Sequence, residues 1–415
     1  LPTANAFKFL IVSSDRFPSF RVDVAELFGQ QMTRRGHTIH WLLQSEQACA
    51  KAYETSWFGG HVWVGSTNLG EGRLARLDKH IRGIANDFRL FGLVRENRYD
   101  FVQVKDKFIA ALFAMLACKW SAVPMVFWLS YPFPESDLYN ASAGLARYPI
   151  FYRIRGNVFR WLLYRLILPS VAHVFVQSDQ MKRDVVAMGI SADKLTAVPM
   201  GISPSFENLE IGPPPGESAV VYLGTLARSR HLEVIVRAFE LVARAIPRSK
   251  LYLVGGGDDT RDERHLRDEV ERLGLRERVV FTGFLPRDQA LEYVARADVC
   301  LSPFYPTPIL NSTSPTKLIE YMALGRAVVG NHHPEQRMLI EESQCGRSVE
   351  WDERAFADAI IEILENPVAA AEMGRRGRHY VLEHRNYERI AQLVESRYRE
   401  LHVRNSASSP STASE

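Results

Sequence analysis

Lys317 and Glu320 stand three residues apart in NSTSPTKLIEYMALGRAVVG, residues 311–330. On a helix that spacing puts the amine and the carboxylate on one face. Ser314 has the side chain of a good N-cap, and Pro315 suits the first helical position. Leu318, Ile319, Met322 and Ala323 supply an apolar face, and Gly325 supplies a left-handed stop, so the spacing predicts a helix over 315–324. Its start would offer free N–H groups and the positive end of the macrodipole to an anion. The hydroxyls of Ser312, Thr313 and Ser314 and the Lys317 ammonium add donors at the same spot. A phosphate would take these, while Glu320, one turn deeper, would accept two ribose hydroxyls. The plainer alternative is a surface Lys317–Glu320 ion pair worth about 0.2–0.5 kcal/mol.

Three further segments carry groups that suit the same ligand. In YLGTLARSR, Gly224 and Thr225 end a strand, and Arg228 and Arg230 follow, whose guanidinium forks match phosphate oxygens. In VGGGDD, Gly255 and Gly256 would let a ligand approach the backbone. In TGFLP, the backbone at Phe284 and Leu285 would meet a planar base. The first half holds a second set, Asp15, Arg16 and Arg21 in SSDRFPSFRVD. These are candidates for donor phosphate or acceptor, with a capping aspartate and surface arginines as the alternative. Lys105-Asp106-Lys107 is a similar charged strand end.

The elements that must position these groups alternate. FKFLIVSSD, HTIHWLLQ, YDFVQVKD, PMVFWLS and VAHVFVQS read as buried strands separated by helical stretches. GPPPGES, residues 212–218, reads as a linker. The alternation then restarts with AVVYLG, SKLYLVGGG, RVVFTGF, DVCLSPF and RAVVG, with helices over 231–245, 262–273 and 288–297. Such alternation argues parallel sheets covered on both faces. We expect two doubly wound α/β domains joined near residues 203–218, then helices over 353–364, 367–384 and 387–401 and a disordered polar end. All four candidate loops of the second half leave one sheet edge, where open α/β sheets bind ligands.

Composition sets the bounds. The chain has 415 residues, 46% hydrophobic and 24% charged, so two domains are expected. The formal net charge of +3 makes no demand for nucleic acid. Cys49, Cys118, Cys300 and Cys345 have no metal-ligand or disulfide spacing, which fits a reducing compartment. No apolar run is long enough to span a bilayer, and the N-terminus enters a strand without a secretory segment. Residues 73–98 and 147–170, however, interleave arginines with aromatic side chains, as a segment lying on an anionic bilayer would. A core helix with snorkelling arginines is the alternative.

Taken together, YLGT, YLVGGG, VVFTGF, ADVCLSPF, SPTKLIEYMALGRAVV and VQSDQMKRDVVAMGISADKLTAVPMGIS resemble the retaining glycosyltransferases of family 4. The resemblance implies the GT-B fold: two Rossmann-like doubly wound domains facing across a cleft, with a C-terminal helix crossing back to the first. The boundaries would be an acceptor domain over 1–205, a nucleotide-sugar domain over 206–385, the returning helix over 386–402 and a disordered tail over 403–415. It implies transfer of a sugar from a nucleotide diphosphate, UDP- or GDP-linked, with Glu320 on the ribose, Lys317 and Arg230 on the diphosphate, and the Phe284 and Leu285 backbone on the base. Ser312 stands where the family has the first of two paired glutamates, Thr225 where it commonly has an arginine, and in place of its N-terminal histidine FWLSYPFPE offers Ser130, Tyr131 and Glu135 as acceptor or cleft candidates. The expected acceptor is a lipid-linked saccharide, the expected location the cytoplasmic face of a membrane, and no metal or other cofactor is required. The competing expectations are a nucleotide-sugar epimerase on the same fold and a non-catalytic nucleotide-sugar binder.

Overall fold

The structure is a computed structural model that describes residues 6–19, 21–70, 72–208, 218–257 and 260–408. The expected linker over 212–218 lies outside these residues except for Ser218, as do Asp258 and Asp259 of the glycine loop. The chain divides into two compact units, 1–199 with 387–415, and 200–386. The first boundary therefore falls at 199/200, ahead of the expected 205/206. The final helix, Tyr387–Ser408, runs past the expected 401 and keeps residues 403–408 helical where a disordered tail was expected. Residues 409–415 lie outside the description.

The first unit holds eight strands: β1 Lys8–Phe17, β2 Thr38–Ser45, β3 Tyr53–Trp57, β4 Gly60–Gly65, β5 Phe101–Lys105, β6 Met125–Leu129, β7 His173–Val176 and β8 Leu195–Ala197. Their order is β3-β4-β2-β1-β5-β6-β7-β8, parallel except for the β3–β4 hairpin. β1 alternates strictly. Leu10 and Val12 join Ala110 and Ala114 of the helix Phe108–Ser121 in one core, while Phe9 and Ile11 join Tyr398 and Val394 of the last helix in the other. A strand buried on both faces needs apolar residues at every position, which is why FLIV, residues 9–12, reads as a continuous run. Burying each large side chain contributes about 1.5–3 kcal/mol. The first helical segment, Asp23–Met32, is wound as a π-helix, a detail that helical periodicity does not reveal.

The second unit holds β9 Ser218–Leu223, β10 Ser249–Val254, β11 Val279–Gly283, β12 Val299–Ser302, β13 Ala327–Asn331 and β14 Gly346–Val349. The order is β11-β10-β9-β12-β13-β14, and every pairing is parallel. From β9 the chain builds outward in one direction to β11, then returns to β12 and builds in the other. The switch point lies between β9 and β12, where loops diverge and leave a crevice at the carboxyl ends. In the first unit the corresponding point lies between β1 and β5.

Candidate functional site

At the second unit's switch point, the helix Thr316–Ala323 follows β12 and is stitched to the end of β9. The Tyr321 hydroxyl accepts a hydrogen bond from the Leu223 N–H at 2.8 Å. One turn earlier, Lys317 Nζ lies 2.8 Å from the Tyr222 hydroxyl and 4.4 Å from the centre of its ring. The Tyr222 hydroxyl donates in turn to the Thr225 carbonyl at 3.0 Å. Two glycines make this approach possible. Gly224 has φ +149°, and a Cβ there would sit 2.3 Å from Lys317 Nζ. Gly255 has φ +133°, and its Cβ would meet the Gly224 carbonyl oxygen at 2.1 Å. Any other residue at either position would push the lysine or the neighbouring loop out of place.

Lys317 makes no ion pair with a carboxylate within 4 Å among the described residues. Burial, with Arg230 as a like charge, lowers its amine from 10.5 to about 7, while Glu320 acts weakly in the other direction. Arg230 lies on the short helical turn Arg228–Arg230 that follows the β9 loop, with Arg228 exposed on the same turn. Glu320 does not pair with Lys317. Its carboxylate accepts from Arg287 at 3.0 Å, and burial raises its pKa against the pull of Arg287 and Lys317. The plainer alternative, a surface Lys317–Glu320 pair, is therefore not formed: each charge has a contact of its own. Beside them, Gly255 bridges to Gly283, and the Leu226 N–H donates to the Gly256 carbonyl at 3.0 Å. Phe284 follows Gly283 with 88% of its surface exposed, and Leu285 comes next. The second unit therefore brings Gly224, Thr225, Arg230, Gly255, Gly256, Phe284, Lys317 and Glu320 to one sheet edge.

The serine and threonine hydroxyls are used otherwise than expected. Ser314 does not cap the helix. Its hydroxyl donates to Glu335 at 2.8 Å and accepts from the Met200 N–H at 3.0 Å. Glu335 also takes Arg385 at 2.9 Å, so Ser314 belongs to a buried network that outcompetes a cap. Thr313 donates to the Leu310 carbonyl at 2.7 Å, and Ser312 is buried. Neither the Thr313 nor the Ser314 hydroxyl proton remains for a phosphate. Tyr222 and Arg287 were missed. Tyr222 hid inside an apolar strand, whereas Arg287 stood directly after TGFLP, a cation at a strand-end loop.

The first unit places its own candidates in a different setting. Lys105, 2% exposed at the end of β5, lies 2.7 Å from Asp15, 3.5 Å from Asp23 and 3.7 Å from Asp106. Arg21 adds contacts of 3.6 Å to Asp15 and 3.2 Å to Asp23. The Ser130 N–H donates to Asp106 at 2.8 Å, and its hydroxyl bonds the same carboxylate. Asp15 therefore lies within β1 and holds Lys105 rather than capping a helix, and Ser130 is buried and committed. The Glu135 carboxyl is also turned inward, beside Tyr164 and 3.7 Å from Arg160, and burial raises its pKa. These residues are corrected from acceptor candidates to internal partners. Arg16 continues the strand opposite Gln44, and the Tyr131 hydroxyl meets Ser136 at 3.2 Å. Lys107 pairs with Asp87.

A half-buried lysine at a sheet's switch point, with glycine loops around it and no carboxylate within 4 Å among the described residues, is an arrangement suited to an anionic ligand. The comparisons name the class. Residues 24–206 match the profile described as Glycosyltransferase Family 4, and residues 217–366 match Glycosyl transferases group 1. The two matches together span most of the chain, and the chain belongs to this glycosyltransferase family. It is 22% identical over 75% of its length to the alpha-monoglucosyldiacylglycerol synthase of Streptococcus pneumoniae, covering 68% of that protein. It is 26% identical over half its length to a GDP-mannose-dependent phosphatidylinositol monomannoside mannosyltransferase of Mycolicibacterium smegmatis, of which it spans 55%. Among solved structures it resembles the sucrose-phosphate synthase of Thermosynechococcus elongatus (TM-score 0.73, 19% identity, 96% of this chain and 100% of that one). It also resembles Anabaena HepE in complex with UDP (TM-score 0.68, 15% identity, 95% and 100%). The fold is the GT-B type of these neighbours, two parallel-sheet α/β units.

Proposed function

We propose that the protein transfers a sugar from a UDP- or GDP-sugar to a lipid-linked saccharide acceptor, with retention at the anomeric carbon and without a metal. The observation that carries this reading is Lys317, a cation free of carboxylates beside Arg230 at the β9–β12 switch point. Leaving-group departure breaks the bond between the anomeric carbon and the β-phosphate oxygen and leaves a diphosphate with added negative charge. Lys317, Arg230 and the N–H groups at the start of Thr316–Ala323 supply positive charge where it develops. The acceptor hydroxyl attacks from the face of departure and passes its proton to the leaving phosphate oxygen, so retention requires no side-chain nucleophile. Glu320 takes the ribose hydroxyls once Arg287 yields or shares it, and the exposed Phe284 segment meets the base. Two relatives named above act on diacylglycerol- or phosphatidylinositol-based lipids, which supports the acceptor class. Lys317→Ala should lower turnover of a responsive nucleotide sugar about 10²–10³-fold with the fold intact by circular dichroism. A purified variant that turns over at the wild-type rate would remove the assignment.

The membrane part of the proposal rests on the first unit. The helix Arg73–Phe88 exposes Leu74, Leu77, Ile81, Ile84 and Phe88 at helical spacing, and the helix Pro149–Trp161 exposes Ile150, Phe151, Ile154, Val158 and Trp161. Trp120 adds a further exposed ring. Apolar stripes of this extent are unusual on a solvated surface. Pro149–Trp161 has no acidic residue, and Arg147, Arg153, Arg160 and Arg165 are exposed around its stripe. A second copy would set arginine against arginine, whereas anionic headgroups complement them. No helix among the described residues is long and apolar enough to cross a membrane, so the contact proposed is peripheral, at the cytoplasmic face. The protein should float with phosphatidylglycerol vesicles at low salt and be released by high salt, and Ile154→Glu with Trp161→Glu should abolish flotation. Equal recovery with and without vesicles would reject this contact.

A further inference from the structure

The cation of the site does not hold its own position. Lys317 has four methylenes between its backbone and its charge, and no carboxylate among the described residues lies within 4 Å of its amine. What fixes it is Tyr222, the first residue of YLGT at the end of β9. Its hydroxyl is 2.8 Å from Nζ, its ring lies beneath the charge at 4.4 Å, and its own proton is committed to the Thr225 carbonyl at 3.0 Å. Because that proton is spent, a lone pair of the phenol oxygen is turned to the lysine. We propose that Tyr222 is a positioning residue for Lys317, holding the amine at the mouth of the Gly224 turn where a nucleoside diphosphate arrives.

The arrangement has a chemical logic. A carboxylate partner would fix the lysine equally well, but an incoming phosphate would have to displace it. A phenol oxygen and a ring face attract an ammonium without neutralising it. Lys317 is thereby held in one rotamer with its charge still available for the diphosphate. The Thr225 carbonyl completes the relay, at the position where family relatives commonly carry an arginine side chain. Fixing one long side chain in advance spares the ligand that ordering cost.

The inference rests on the reading of Lys317 as the diphosphate cation, and a double-mutant cycle separates the two. Binding of UDP and GDP is measured by calorimetry for wild type, Tyr222→Phe, Lys317→Ala and the double variant. Tyr222→Phe keeps the ring and removes only the hydroxyl, so thermal melting should show a folded protein. It should weaken whichever nucleotide binds by about 5–10-fold when Lys317 is present and by less than about twofold in the Lys317→Ala background. Tyr222→Leu removes the ring as well and should be weaker still with Lys317 present, and equally silent without it. If the losses are the same in both backgrounds, Tyr222 is a packing residue and the inference falls while the site stands. If Lys317→Ala leaves binding unchanged, the site reading itself fails and takes the inference with it.

Discussion

The two units place a lysine at the same topological point, Lys105 buried and Lys317 half-buried, and treat it in opposite ways. Lys105 closes β5 beside β1 with Asp15, Asp23 and Asp106 all within 4 Å, and this surplus of carboxylates raises its pKa despite burial. Lys317 lies beside the end of β9 with a phenol for a partner, and its amine is lowered to about 7. The first cation is settled inside the protein, so Lys105 is an internal tie between strand ends. The second has been left without its counter-charge. A buried charge without a carboxylate costs stability, and it persists where a ligand supplies what the fold withholds. The difference favours the second unit for the proposed anion without reference to any motif.

The largest effect should come from the settled lysine. Lys105→Met removes the buried cation shared by three carboxylates, leaving Arg21 on Asp15 and Asp23 and Ser130 on Asp106, and should cost about 3–5 kcal/mol in urea unfolding. A loss under about 1 kcal/mol would mean that the carboxylates do not depend on it, and the contrast would lose its first half. At the open lysine, effects should appear in ligand binding instead. Arg230→Ala removes a guanidinium from the phosphate and a like charge from Lys317, so nucleoside diphosphate affinity should fall about tenfold at pH 7. The same change should raise the pH at which affinity begins to decline, because the amine then holds its proton more firmly. An unchanged pH profile would show that Arg230 does not face Lys317 in solution.

Much of this was legible before any coordinates. The strand runs FLIV and AVVYL are apolar at every position because both faces of their sheets are covered, and with the alternation of strands and helices this argues parallel sheets. The loop glycines and Lys317 could be located from strand order. What could not be read were partnerships across long sequence separations. Ser314 looks like a cap until Glu335 and Arg385 arrive to claim its hydroxyl. Asp15 and Ser130 look like cleft residues until Lys105 and Asp106 bind them. Tyr222 is one more apolar letter in a strand until its hydroxyl is seen under Nζ. Local pattern carries propensity and periodicity, but the fate of a polar atom is decided by neighbours dozens of residues away.

The claim that Lys317 waits for an anion is tested most directly by counting protons. At pH 8 an amine titrating near 7 is mostly neutral, with Tyr222 on β9, Arg230 on the following turn and Glu320 on its own helix as the groups facing it. A bound diphosphate favours the ammonium and raises its pKa, so binding must draw a proton from solution, and affinity must fall as pH rises above 7. Calorimetry of UDP or GDP binding in two buffers of different ionisation enthalpy should show uptake of about one proton per nucleotide, absent in Lys317→Ala. Nucleotide binding with no proton uptake, or with the same uptake in the variant, would contradict the account.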